Sequence, residues 1–302
     1  MAFFRNGSHR EVTAQVWPEL QADASARVMR DLFRRLVVHP GGDSQAWVCT
    51  ANGVIHSVAI ARSRAGKLAW DIQDLFVAEG AQTAAVELLD RAAAEAARKG
   101  ARRIFLATPA DGEVTKLARQ AAFTHYASET LFAVKLVAPF AADSVPPARP
   151  RLRQDTQALF QLYNAAVPGK VRLAEAMTME EWTSLDRTSR PWAPRLSGDS
   201  QHFVWDEHGE MAGWLWLTFG SRSQHMALLV HPSRVESTGE MVRYALSQSS
   251  QKVPIYASAR DYQPELISAL EKVGFARVAE HLVFAREMTA RVPSPAFVPA
   301  RA

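Results

Sequence analysis

Asp71 and Asp74 stand three residues apart in the apolar stretch Leu68 to Val77. A carboxylate on such a strand can take a proton from an attacking nucleophile. Alternation of side chains predicts that the two lie on opposite faces, so that one of them can look into a cleft. Cys49, the sole cysteine, sits in an apolar strand and reads as a buried thiol rather than a nucleophile. A single cysteine excludes an internal disulfide and a cysteine-cluster metal site. His202, His208 and His225 lack metal-ligand spacing with a carboxylate partner, so no metal is expected. The Gly-x-Ser-x-Gly elbow and the Walker phosphate loop are absent. Trp182, Trp192, Trp205, Trp214 and Trp216 crowd the second half. Trp214 and Trp216 share a strand face, which reads either as an aromatic core or as an apolar wall for an acyl chain or aromatic acceptor.

The elements that must position these residues occur twice. Trp47 lies six residues before Gly53, and Phe203 six before Gly209, each in a predicted β-hairpin whose glycine supplies positive φ at the turn. An apolar strand follows, Leu68 to Val77 and then Gln224 to Val230. Next come a helix (Ala84 to Lys99; Ser237 to Gln248), a short strand (Arg103 to Ala107; Pro254 to Ser258) and a second helix (Glu113 to Ala121; Pro264 to Val273). Each half is expected to close with a strand pair, around Phe123 to Lys135 and Phe275 to Arg286. Gly53 and Gly209 are 156 residues apart, Val77 and Val230 153, Phe123 and Phe275 152, and Phe132 and Phe284 152. A nearly constant offset over five elements points to an internal duplication.

The 302 residues are twice the usual domain size. Ala138 to Pro150, with four prolines, reads as the linker between domains 1–137 and 151–289, and residues 290–302 as a frayed tail. With 48% hydrophobic and 22% charged residues the composition is globular, which excludes a disordered chain, a coiled coil and collagen. The longest aliphatic run, Met226 to Val230, is too short to span a bilayer, and the polar N-terminus does not read as a secretory signal. The first 148 residues carry 17 basic and 15 acidic side chains, the rest 18 and 16. Neither half has the basic patch that nucleic acid would require. A cytoplasmic protein acting on small molecules is the expectation.

The order of elements resembles the GNAT N-acetyltransferase superfamily, over roughly 22–137 and again 150–289. Ala269-Leu270-Glu271-Lys272-Val273-Gly274-Phe275 is similar to that family's last helix and its Gly-Phe turn, and Leu229-Val230-His231-Pro232 to the end of its fourth strand. The resemblance implies an α/β fold, a mixed sheet in two tandem GNAT-like domains packed as a pseudo-dimer. It implies acetyl-CoA as co-substrate, held in a V-shaped gap between the fourth and fifth strands with its pyrophosphate on the next helix. A neutral amine, of a small molecule or a peptide, would then attack the thioester and give up its proton to a base. On that footing Asp71 and Asp74 are the candidate bases. Phe76 and Val77 would hold pantetheine, Gln82, Thr83, Ala84 and Ala85 the phosphates, and Trp182 and Trp192 would contact the acceptor.

The sequence departs from the family pattern in both copies. The pyrophosphate loop has lost glycines and length twice, and in the second copy Glu236 and Glu240 bring negative charge to the helix start. This favours the first half as the CoA site. The tyrosine expected to protonate the thiolate is replaced by Ala118 and Leu270, with Tyr126 and Tyr262 nearby but out of register. A catalytically inactive descendant that binds a small molecule or a protein therefore stands as the alternative to an acyltransferase.

Overall fold

The structure is a computed structural model and describes residues 9–12, 44–63, 68–78, 80–135, 148–176, 178–187, 200–207, 210–220, 223–250 and 253–288. In the first half, β1 (His9–Val12) precedes the hairpin β2 (Ser44–Ala51) and β3 (Val54–Ser63). Asn52 and Gly53 turn that hairpin with φ of 51° and 75°, as a two-residue turn between right-twisted strands requires. Then follow β4 (Ala69–Ala78), α1 (Gln82–Arg98), β5 (Arg103–Pro109), α2 (Glu113–Gln120) and β6 (Thr124–Val134).

The second half opens with β7 (Ala148–Pro150), a 3-10 turn, and the helices α3 (Thr156–Ala166), α4 (Gly169–Glu175) and α5 (Met179–Arg187). It continues with β8 (Ser200–Glu207), β9 (Glu210–Phe219), β10 (Gln224–Val230), α6 (Thr238–Gln248), β11 (Ile255–Arg260), α7 (Pro264–Lys272) and β12 (Ala276–Glu287). The end of the proline-rich segment is thus a strand, β7, paired with β8, and its proline sits on the sheet's edge where no ladder donor is needed.

The twelve strands of the described residues share one sheet, in the order β2-β3-β4-β5-β12-β6-β11-β10-β9-β8-β7, with β1 beside β4. The closing strand pairs expected within each half are not there. Each half ends in one long strand, and the halves exchange them. β12 runs antiparallel between β5 and β6, from Glu287 opposite Arg103 to Ala276 opposite Ala133, and β6 runs antiparallel to β11. The order is therefore palindromic about β12 and β6, and the sheet crosses the boundary that composition placed at 138–150.

Helices cover both faces. Leu282 and Phe284 pack under α1 and α2, whereas Val283 and Ala285 pack under α3 to α5. Across the sheet, Phe132 joins the core of α6 and α7. Since Phe132 shares its face with Ser128, which is opposite Leu282, the helices α1, α2, α6 and α7 lie on one face and α3 to α5 on the other. α1 faces the sheet with Ala85, Leu88, Leu89, Ala92, Ala93 and Ala96, all buried at helical spacing. Phe284, fully buried, contributes about 2–3 kcal/mol at the join of the halves.

Candidate active site

Two short parallel pairings leave forks in the sheet. β4 and β5 run parallel and pair over only Ala69–Asp71 and Arg103–Phe105. β10 and β11 do the same over Gln224–Met226 and Ile255–Ala257. Beyond these residues the parallel strands part, while β5 stays paired with β12 and β11 with β6 along their other edges.

Just past its vertex the second fork is crossed by Gln263, whose Nε2 donates to the Leu228 carbonyl on β10 (3.0 Å) while its Oε1 accepts from the Arg260 amide on β11 (3.0 Å). A residue's N–H and C=O point to the same side of its strand, so the backbones of Leu228 and Val230 both face the gap. On the α6–α7 face a cleft of about 560 Å³ lies between the two helices, lined by Glu236, Gly239, Glu240, Arg243, Glu265 and Lys272 among others. Glutamates therefore stand at both helix starts and the two cations further along. Arg234, the cation of the preceding turn, is held by Glu207 at 2.8 Å.

The opposite face of the second fork carries buried charge. His225 Nε2 and Ser258 Oγ, 3.1 Å apart, join β10 to β11, and Ser258 also hydrogen-bonds Glu129 on β6. Arg260 lies 3.1 Å from Glu129 and 3.3 Å from Glu175 of α4, whose Oε1 also accepts from the Tyr126 hydroxyl at 2.9 Å. All six side chains are buried. Two carboxylates share one guanidinium here. Burial pushes the Glu129 pKa up to about 7, Glu175 adds to the rise, and Arg260 only partly offsets it. Burial works against the charge of Arg260, but Glu175 and Glu129 outweigh it and hold the guanidinium protonated above its usual range. His281, opposite Glu129 on β12, is pulled down to about 4 by burial. The arrangement can move a proton from the fork to a carboxylate that titrates near neutrality, along His225, Ser258 and Glu129.

The first fork is built differently. Past Asp71, β3 takes one edge of β4 and β1 the other, with Val12 opposite Phe76 and Glu11 opposite Val77. Phe76 and Val77, predicted to hold pantetheine, are thus paired on both sides. Gln82 donates to Glu113 across the starts of α1 and α2 (3.0 Å), and the Ala85 amide donates to the Ala81 carbonyl (3.1 Å), so Ala85 has no amide to offer a phosphate. Thr83 and Ala84 stand in the first turn of α1. Asp71 and Asp74 do not lie on opposite faces. The register breaks between Ile72 and Asp74, and the core-facing positions change from Trp70 and Ile72 to Leu75 and Val77. This bulge turns both carboxylates to the face away from α1. β10 pairs with β9 without any such break.

Forked parallel strands between an outer hairpin and a closing strand, in two copies, match solved structures over nearly the whole chain. A GCN5-related N-acetyltransferase from Sphaerobacter thermophilus superposes with a TM-score of 0.55 at 14% identity, covering 92% of this chain and 95% of that one. The chain has the GNAT fold. A putative acetyltransferase from Pyrococcus horikoshii aligns over 94% of this chain and 91% of its own with a TM-score of 0.52 at 10% identity. A functionally unknown conserved protein from Staphylococcus epidermidis gives 0.53 at 8%, covering 85% and 98%. No protein-family model and no curated protein matches the sequence.

One of the two tryptophans expected to contact an acceptor lies on the face of α3 to α5. Trp182 is there, but in the core, 3% exposed and packed on Phe160, Tyr163 and Trp214. Trp192 lies outside the described residues. Trp214 and Trp216 stack with His202 on the same face, while Trp205 packs against Tyr244 on the other, so the strand tryptophans serve the core. Glu129, Glu175, Ser258 and Arg260 were not singled out from sequence. Their signal was a Glu inside Tyr126 to Phe132 and an Arg closing Ile255 to Arg260, charges interrupting otherwise apolar strands. No group of metal-binding side chains occurs among the described residues, and no helix among them is long and apolar enough to cross a membrane.

Proposed function

We propose that the chain is an acetyl-CoA-dependent N-acyltransferase of amines whose working site is the fork of the second half. The observation that carries this reading is the buried chain His225–Ser258–Glu129, which spans the vertex where β10 and β11 part and ends on a carboxylate with a pKa of about 7. An amine is nucleophilic only when neutral, and a base titrating near the working pH can relieve it of a proton as it attacks. Glu129 is that base, Ser258 and His225 relay the proton, and Arg260 with Glu175 positions Glu129. The co-substrate supplies a thioester carbonyl activated for attack. The amides of Leu228 and Val230, which face the gap, would hold its pantetheine arm through ladder-like hydrogen bonds, while the Leu228 carbonyl is taken by Gln263.

The fit to the nucleotide end is partial. Glu240 and Glu265 occupy first-turn positions where a helix start would favour phosphate. Positive charge comes instead from Arg243 and Lys272 further along the cleft. Weak, salt-sensitive binding follows. These glutamates also support the second reading, a binding module without turnover. Calorimetric titration with acetyl-CoA, followed by thiol release in the presence of a panel of primary amines, separates the two. Binding with amine-dependent thiol release supports the transferase, binding without release supports the module, and no heat at millimolar ligand refutes both placements of CoA.

A further inference from the structure

We infer that residues 9–12 are a built-in occupant of the first fork, a strand that fills the opening of the first half and leaves the chain with one site for a pantetheine thioester instead of two. In the first half, β1 inserts on the very edge of β4 that faces the gap, since β3 already holds the other edge at Ser57 and Val58. In the second half the segment that precedes the helices does something else: β7 pairs with β8 at the outer rim of the sheet. Among the described residues the second gap is bridged by side chains, those of Gln263 and of His225 with Ser258, and not by a strand.

An extended peptide and a pantetheine arm would make the same kind of contact there, amide hydrogen bonds to a bare strand edge. The helix side of the first fork agrees with this, because Gln82 and Glu113 tie together the two helix starts between which a phosphate would have to pass. Two near-copies of one opening thus differ among the described residues: a strand pairs with β4 in the first, and side chains alone bridge the second.

The inference rests on the thioester-binding reading of the forks, and the experiment keeps the two apart. Hydrogen–deuterium exchange is measured on the whole chain, on a chain lacking residues 1–12, and on a Glu11→Pro, Val12→Pro double variant. Neighbouring residues of an antiparallel strand point their N–H groups alternately toward and away from the partner, so the double proline removes one ladder donor in any register. Among the amides at 76–78, those that point toward β1 should exchange at least about tenfold faster in both variants, while those that point toward β3 stay protected. In titrations with coenzyme A, the whole chain should take up one molecule and the truncated chain two. Equal exchange in all three proteins overturns the strand contact. Faster exchange with no second molecule bound, or two molecules on the whole chain, overturns its blocking role. If no protein takes up coenzyme A, the transferase reading falls, and the exchange rates alone decide whether β1 fills the fork.

Discussion

Glu129→Gln tests the proton-accepting role without changing the shape of the site. The native carboxyl holds its proton up to about pH 7, whereas the same group in an unfolded chain releases it near 4.5. Between those values the native state carries a proton that the unfolded state has lost, so stability falls as pH rises. The stabilising contribution is complete below about 4.5 and gone above about 7. At 1.36 kcal/mol per pH unit the difference is about 3 kcal/mol. Glutamine does not titrate, and Arg260 keeps Glu175 as its partner in the variant. Urea denaturation from pH 4.5 to 8 should therefore show the variant gaining about 3 kcal/mol relative to the parent as pH climbs. Turnover should move the other way. The parent's kcat/KM should rise roughly tenfold from pH 6 to 8 as Glu129 ionises, and the variant should lie about 10²–10⁴-fold lower with no such rise. A stability difference that stays constant within about 1 kcal/mol across the range, or a variant with the parent's pH profile, refutes the assignment.

Other perturbations have equally definite outcomes. His281 is neutral in the fold down to about pH 4 against an ordinary 6.5, so its contribution is present above 6.5 and lost as pH falls toward 4. His281→Gln should flatten the acid limb of the stability curve measured by urea denaturation. Glu240→Gln should tighten coenzyme A binding about twofold to fivefold by calorimetry, and Lys272→Ala should weaken it by a similar factor. Ala84→Glu in the first half should leave that affinity unchanged, whereas Gly239→Glu in the second should abolish it. At Gly213, an added Cβ would stand 2.8 Å from Met241 Sδ and 3.3 Å from Trp205 Cε3, so Gly213→Ala should lower the unfolding free energy by about 1–3 kcal/mol.

Local pattern was enough to read most of the elements. Gln224 to Val230 is a strand with the boundaries that its apolar run suggested, and Asn52-Gly53 turns its hairpin because only such residues accept positive φ without strain. The doubled order of elements was likewise visible in the offsets. What local pattern could not reveal was partnership between distant segments. Thr124–Val134 and Ala276–Glu287 read as closing strands, but nothing in them says that each completes the other half's sheet. The placement of Asp71 and Asp74 failed for a related reason: a bulge at Gln73 leaves no mark on an alternation that is already mostly apolar. Glu129 was missed because its role depends on Arg260, Glu175 and Ser258, 131, 46 and 129 residues away in the chain.

The traded strands set a timetable for synthesis. Residues 276–287 come late in the chain, yet they separate β5 from β6, which are made some 150 residues earlier. Until that segment emerges from the ribosome, β5 and β6 each present a hydrogen-bonding edge with no lasting partner, the kind of surface that invites aggregation. Pairing across such separation is also slow, because the intervening chain must be brought to order before the contacts reward it. Nascent chains stalled before residue 276 should therefore be held by chaperones, and release of the last strand is the event that completes the sheet and brings His281 beside Glu129 at the same moment.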